Sequence, residues 1–206
     1  MRIFLSVWLV ASMAPVTEAQ SQRGDLIERT LAIVGTQVIT LSDARAAIRL
    51  GLVAADRSAD PVSVTQLLVD RELILREVQR YAPPAPSEGA VGARLEEIGR
   101  LLPPSELARA LEDNGFTDTR LRAWVRDDLR SVAYLAQRFA SASTPTETEV
   151  ASAFAQQRAE FERAGATFEQ AAPIIRDRLV TQRRRELIAD WVSDLRRRTD
   201  VVIVAQ

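Results

Sequence analysis

Apolar residues recur at three- and four-residue spacing through most of this chain, the period of helices with one buried face. The densest stretch is Ser63 to Tyr81, SVTQLLVDRELILREVQRY. Val64, Leu67, Leu68, Ile74, Leu75, Val78 and Tyr81 mark one helical face, and Val69 and Leu73 widen it. A face that wide predicts a central helix with neighbours on more than one side. Ser63 and Gln66 have the spacing of a capping box at its start. Pro83-Pro84 ends it, because proline cannot continue a helix and pushes the preceding residue out of helical geometry.

Around this helix the pattern changes period. Leu31 to Val34 and Val38 to Thr40 are short β-rich runs separated by Gly35-Thr36, which predicts a hairpin with glycine first in a two-residue turn. Ser42 and Asp43 can cap a following helix with Ala44, Ala47 and Ile48 inward, and Ala54 to Pro61 reads as a linker. Val91, Leu95, Ile98 and Leu102 predict a helix stopped by Pro103-Pro104. Leu107, Ala108 and Leu111 predict a short one stopped by Asn114-Gly115. Thr117 or Asp118 opens a longer helix faced by Leu121, Val125, Leu129, Val132, Ala136 and Phe139, with Trp124 and Leu135 beside them. Thr144-Pro145-Thr146-Glu147 combines a cap, a first-turn proline and a glutamate, and opens a helix carrying Val150, Phe154 and Phe161. A long helix then runs from about Glu169 to Arg198, with Pro173 tolerable only in its first turn. Val201 to Val204 is a β-branched run expected to pair with Leu31 to Val34.

The N-terminus carries a different signal. Arg2, the apolar run Ile3 to Ala14 and Thr17-Glu18-Ala19 read as a cleavable secretory segment, too short for an ordinary membrane span of about 20 apolar residues. The expected organisation is therefore a signal peptide over 1–19, a lead-in over 20–28, and one module. Within that module, residues 29–143 form the hairpin and first helices, and residues 144–206 the last helices and closing strand.

Composition narrows the chemistry. The 206 residues include no Cys and no His, and all 27 basic residues are Arg. Disulfides, thiol catalysis, histidine-based acid–base work, Schiff bases and a P-loop lysine are thereby excluded from this sequence. The formal net charge of -1 provides no global field for nucleic acid or an anionic membrane. Glu96-Glu97 and Asp127-Asp128 are adjacent pairs, which a helix turns about 100° apart, so they read as surface rather than an acid–base pair. Arg183-Arg184-Arg185 and Arg196-Arg197-Arg198 read as solvated helix with local ion pairs to Glu186, Asp190 and Asp194. No metal, cofactor or nucleic-acid partner is expected.

The order of pieces resembles the SurA family of periplasmic chaperones, and more loosely the chaperone part of trigger factor. The likeness rests on IERTLAIVGTQVITLSDARAAI, on QLLVDRELILREVQRYA, and on GFTDTRLRAWVRDDLRSVAYL followed by TPTETEVASAFAQQRAEF. In family members of that kind a parvulin prolyl isomerase domain with active-site histidines follows. Here Arg163 to Thr167 leads almost directly to TFEQAAPIIRDRLVTQRRRELIADWVSDLRRRTDVVIV, which resembles the family's C-terminal helix and strand. The resemblance implies a mainly α fold, a multi-helix module with a small β-hairpin joined by a C-terminal strand. It implies a non-enzymatic, ATP-independent periplasmic chaperone for unfolded polypeptides such as outer-membrane protein precursors, touching the membrane only through the signal segment. A peptide cradle would be lined by Leu102, Phe116, Trp124, Tyr134, Phe154 and Phe161. The alternatives are a prolyl isomerase, by family label alone, and an adaptor for one folded envelope partner.

Overall fold

The structure is a computed structural model and describes residues 28–204. The expected signal peptide and most of the lead-in lie outside the described residues. The fold is mainly α with a small three-stranded antiparallel sheet. The hairpin is β1 (Thr30–Val34) and β2 (Gln37–Thr40), turned at Gly35, whose φ of 60° is the left-handed geometry that glycine takes without a Cβ clash. The helices are α1 (Leu41–Arg49), α2 (Thr65–Tyr81), α3 (Glu88–Leu101), α4 (Pro104–Glu112), α5 (Asp118–Arg138), α6 (Glu147–Gln156), α7 (Arg158–Arg163) and α8 (Phe168–Arg198). The closing strand β3 (Val201–Ile203) pairs with β1, as expected, giving the order β2-β1-β3. The two ends of the described chain thus meet in one sheet.

Three apolar clusters hold these elements. The first packs Leu31 and Val34 of the sheet and Ile48 of α1 around Leu68, Val69, Leu73 and Val78 of α2, closed by Trp191, Val192 and Leu195 of α8. The second joins α1 to α3, α4 and α5 through Leu50, Val91, Ile98, Leu121 and Val125. The third is an arm in which Val150, Phe161 and Ile175 pack α6 and α7 onto the N-terminal part of α8. Helix α8 has 31 residues, about 46 Å at the usual rise, so its two ends serve different cores.

Several helix starts differ from the sequence expectation, each for a local reason. Ser63 and Gln66 do not cap α2. Asp60 caps a 3-10 turn over Pro61–Val64 instead, accepting from the Val62 N–H at 3.1 Å, while Ser63 Oγ donates to the Asp60 carbonyl. A carboxylate ahead of a proline with pre-set φ is the stronger start signal. Thr40, not Ser42, caps α1, in a reciprocal box with Asp43. Ser42 Oγ instead donates to Glu28 at 2.9 Å, and these hydrogen bonds hold the Glu28 carboxyl below its usual range against the opposing effect of burial. In the run TPTETE the box forms on Thr146 and Glu149 rather than Thr144 and Glu147. Arginines of α8 decide between the two frames: Arg183 takes Glu149 at 2.5 Å and Arg176 takes Glu147 at 2.7 Å. Pro173 lies beyond the first turn of α8, where its missing N–H leaves the Glu169 carbonyl without a helical donor, yet α8 continues. Arg183 and Arg196 also depart from the expected local pairing, bonding Glu149 and Asp70 on other helices, while Arg197 pairs locally with Asp194.

A Cβ at Gly35 would force positive φ on a side-chain-bearing residue and meet Arg76, whose Nη1 donates to the Val34 carbonyl at 3.0 Å. Gly35→Ala is therefore expected to cost about 1–2 kcal/mol, read as a lower urea midpoint at unchanged slope. Glu149 is held at a pKa of about 2, first by the Thr146 N–H and then by Arg183. A folded-state value below the unfolded one contributes stability that is full above the unfolded pKa of about 4.3 and is lost as pH falls through 2. Acid titration of the native protein should loosen α6 in that window, and Glu149→Gln should flatten the response.

Candidate peptide-binding groove

Helix α2 carries more apolar surface than its neighbours cover. Leu68, Val69, Leu73, Leu75 and Val78 are buried, but Leu67 and Ile74, two turns apart on another stripe, face a groove. On one side of α2 the groove is walled by Val132 and Leu135 of α5 with Leu52 and Val53 from the loop after α1, enclosing about 280 Å³. On the other side Ile188, Ala189 and Val192 of α8 enclose about 450 Å³. Asp70 and Ile74 belong to both hollows, so the two form one trough straddling α2. Wall and floor both remain open to solvent: Val132 of α5 is 65% exposed and Leu67 of α2 42%.

The trough is held by ion pairs that tie each wall to the floor. Arg71 Nε donates to Asp128 Oδ1 at 2.8 Å, linking α2 to α5. The Arg71 guanidinium also lies over the Trp124 ring at 3.5 Å from its centroid, which fixes its plane. Burial pushes the Asp128 carboxyl above its usual range, and Arg71 opposes that shift. Arg196 Nε donates to Asp70 Oδ1 at 2.8 Å, linking α8 to α2. The result is an apolar floor bordered by paired charges, suited to weak contact with apolar side chains of an extended chain.

A second, polar hollow of about 560 Å³ lies across α2, between β2 and α5. Its arginines are engaged: Arg120 pairs with Asp43, Arg76 bonds the Val34 carbonyl, and Arg71 is the bridge to Asp128. Glu72 sits there with its carboxyl raised by burial, against the nearby Arg71 and Arg76. Among the described residues no cluster of three or more acidic side chains is placed to hold a metal ion, and no helix is long and apolar enough to cross a membrane.

The six residues named for the cradle are not brought together. Leu102 and Phe116 are buried in the second cluster, Tyr134 in the first and Phe161 in the arm. These four are core residues, and the expectation that they line a cradle is corrected. Trp124 is half-buried between Phe116, at 5.9 Å, and the Arg71 guanidinium. Phe154 is half-buried in the arm, stacked on Phe161 at 5.5 Å and edge-on to Phe168 at 5.2 Å. An aromatic is the side chain that gains most from burial, so choosing by aromaticity selected core. The groove is built from aliphatic residues that the helical pattern marked as inward-facing. The available signal was the surplus of apolar positions on α2, which exceeds one face.

No protein-family model matches the chain, and no curated protein matches it in sequence.

Exposure separates the groove residues from the core in a measurable way. Leu67→Ser and Val132→Ser are expected to change unfolding free energy by no more than about 0.5 kcal/mol. Val69→Ser, at a fully buried site on the same helix, should cost roughly 2–4 kcal/mol in the same urea titration.

Proposed function

We propose that the protein is an exported, ATP-independent holding chaperone of the SurA-like kind, without a catalytic domain, acting in the periplasm on unfolded polypeptides that include outer-membrane protein precursors. The observation that carries this reading is the open aliphatic trough over α2, bordered by the Arg71–Asp128 and Arg196–Asp70 pairs. An uncovered apolar surface of this kind serves to meet another apolar surface. Its shallow form suits many short apolar segments better than one deep ligand. The charged border keeps a loaded complex soluble. Binding unfolded chain lowers its free concentration by mass action and slows the higher-order step of aggregation. Further support comes from the architecture that the resemblance implied: mainly helical, with a hairpin joined by the C-terminal strand.

The test is light scattering of an unfolded outer-membrane β-barrel protein diluted from urea. Near-stoichiometric protein should suppress the scattering without nucleotide, and Val132→Asp should need several-fold more protein for the same effect. Absence of suppression by the folded wild-type protein would overturn the holding function and favour an adaptor for one folded partner.

A further inference from the structure

The sheet has two edges, and the sequence treats them differently. At the β2 edge, side chains occupy part of the outward backbone: Gln37 Nε2 donates to the Val38 carbonyl at 3.3 Å, and the Thr40 N–H donates to Asp43 Oδ2 at 3.0 Å. Such occupancy leaves fewer backbone groups free to recruit another strand.

Among the described residues the β3 edge carries no such side-chain hydrogen bond, and its one guard is its length of three residues. The Gly35 N–H donates to the Asp200 carbonyl at 2.8 Å and the Val204 N–H to the Leu31 carbonyl at 2.9 Å, with Val202 opposite Ile33. In an antiparallel ladder the groups alternate, so the N–H and C=O of Val201 and Ile203 point away from β1. Among the described residues no strand lies on that side. The run is VVIV, all β-branched, with no proline and no charge. Val202 is 47% exposed, Ile203 39% and Val204 55%. On the outer face of the sheet Val38, Ile33 and Val202 stand in register, so an added strand would continue an existing β-branched row.

We propose that the free edge of β3 takes up an extended, apolar, β-prone segment of unfolded polypeptide as an added strand, hydrogen-bonded to Val201 and Ile203. The site rests on the holding function and supplies it with a second contact. A second copy of this chain is the weaker occupant. Edge-to-edge pairing of two three-residue strands falls far short of the roughly 1,200–2,000 Å² that stable interfaces bury. A client segment needs no such area from the edge alone. The α8 wall of the trough, at Val192 and Arg196, and the β3 edge lie on consecutive elements, and for a client long enough to reach both, the first contact would raise the local concentration for the second. Backbone recognition is indifferent to side-chain identity, which suits diverse clients. It also excludes folded ones, whose strands are already paired.

The discriminating variant is Ile203→Pro. It deletes an N–H that points away from β1 and leaves the Val202 and Val204 donors in place, as proline is tolerated on an open edge. Binding of the urea-diluted β-barrel protein to the full chain should weaken about five- to ten-fold, at unchanged thermal midpoint. Wild-type holding that Ile203→Pro leaves undiminished would overturn the edge site while sparing the holding function. If the variant fails to fold, amide exchange on the wild-type protein decides: client should slow the Val201 and Ile203 amides at least about ten-fold, and unchanged exchange overturns the proposal. Protection of these amides without client, together with concentration-dependent dimerisation in sedimentation, would assign the edge to a second copy and overturn it equally. Should the wild-type protein hold no client, the holding function fails. The edge is then tested separately with a short peptide of alternating Val and Thr, whose effect on the same two amides supports the site or removes it.

Discussion

The burial of α2 is the constraint on which the rest of the molecule depends. Its five buried Leu and Val side chains contribute on the order of 10 kcal/mol, comparable with the whole net stability of a typical domain. No single neighbour can cover a helix that is apolar around so much of its circumference. The hairpin covers one side, α5 another and the C-terminal half of α8 a third. Each of these is placed by its need to meet α2, and the long-range ion pairs Arg71–Asp128 and Arg196–Asp70 fix their angles. Both arginines are partly shielded, so these pairs are worth more for register than for net stability.

Among the described residues, coverage of the apolar floor stops short over Leu67 and Ile74. Between α5 and α8 no element of the described residues lies over them, and the groove is the gap that remains. It is shaped by helices that are rigid because their other faces are packed. On the proposed holding function, an extended segment would meet a preformed surface, with the ordering cost on that segment alone. The arm has its own small core and its own arginine-selected cap, so it is an accessory to this arrangement rather than part of its foundation.

The sheet follows a second constraint. β1 is buried, and a buried strand must pair on both sides to satisfy its backbone. β2 does this locally through the Gly35 turn. β3 does it from the far end of α8, which draws the chain's two described ends together and leaves β3 as an edge with no strand beyond it among the described residues. Closing the core and opening an edge are consequences of the same short strand.

The sequence alone determined what is local. Periods of 3.6 and 2, the Gly35 turn, the paired prolines and Asn114-Gly115 mark the hairpin, the helices and their stops, because those features act within a few residues. The match of Val201–Val204 to Leu31–Val34 was legible as well, since β-branched runs without a partner strand are rare. What only the tertiary structure decided is which apolar residues go uncovered and which of two similar local signals prevails. Leu67 and Val132 carry the same periodic signal as Leu68 and Val125, and they differ only in whether another helix reaches them. Thr144 and Thr146 offer overlapping caps, and Arg183, more than thirty residues away, selects one. The chain signalled only a surplus of apolar positions on α2; where the groove lies was illegible, because it is made of positions where packing ends, and the end of packing is a property of the assembled helices rather than of any one of them.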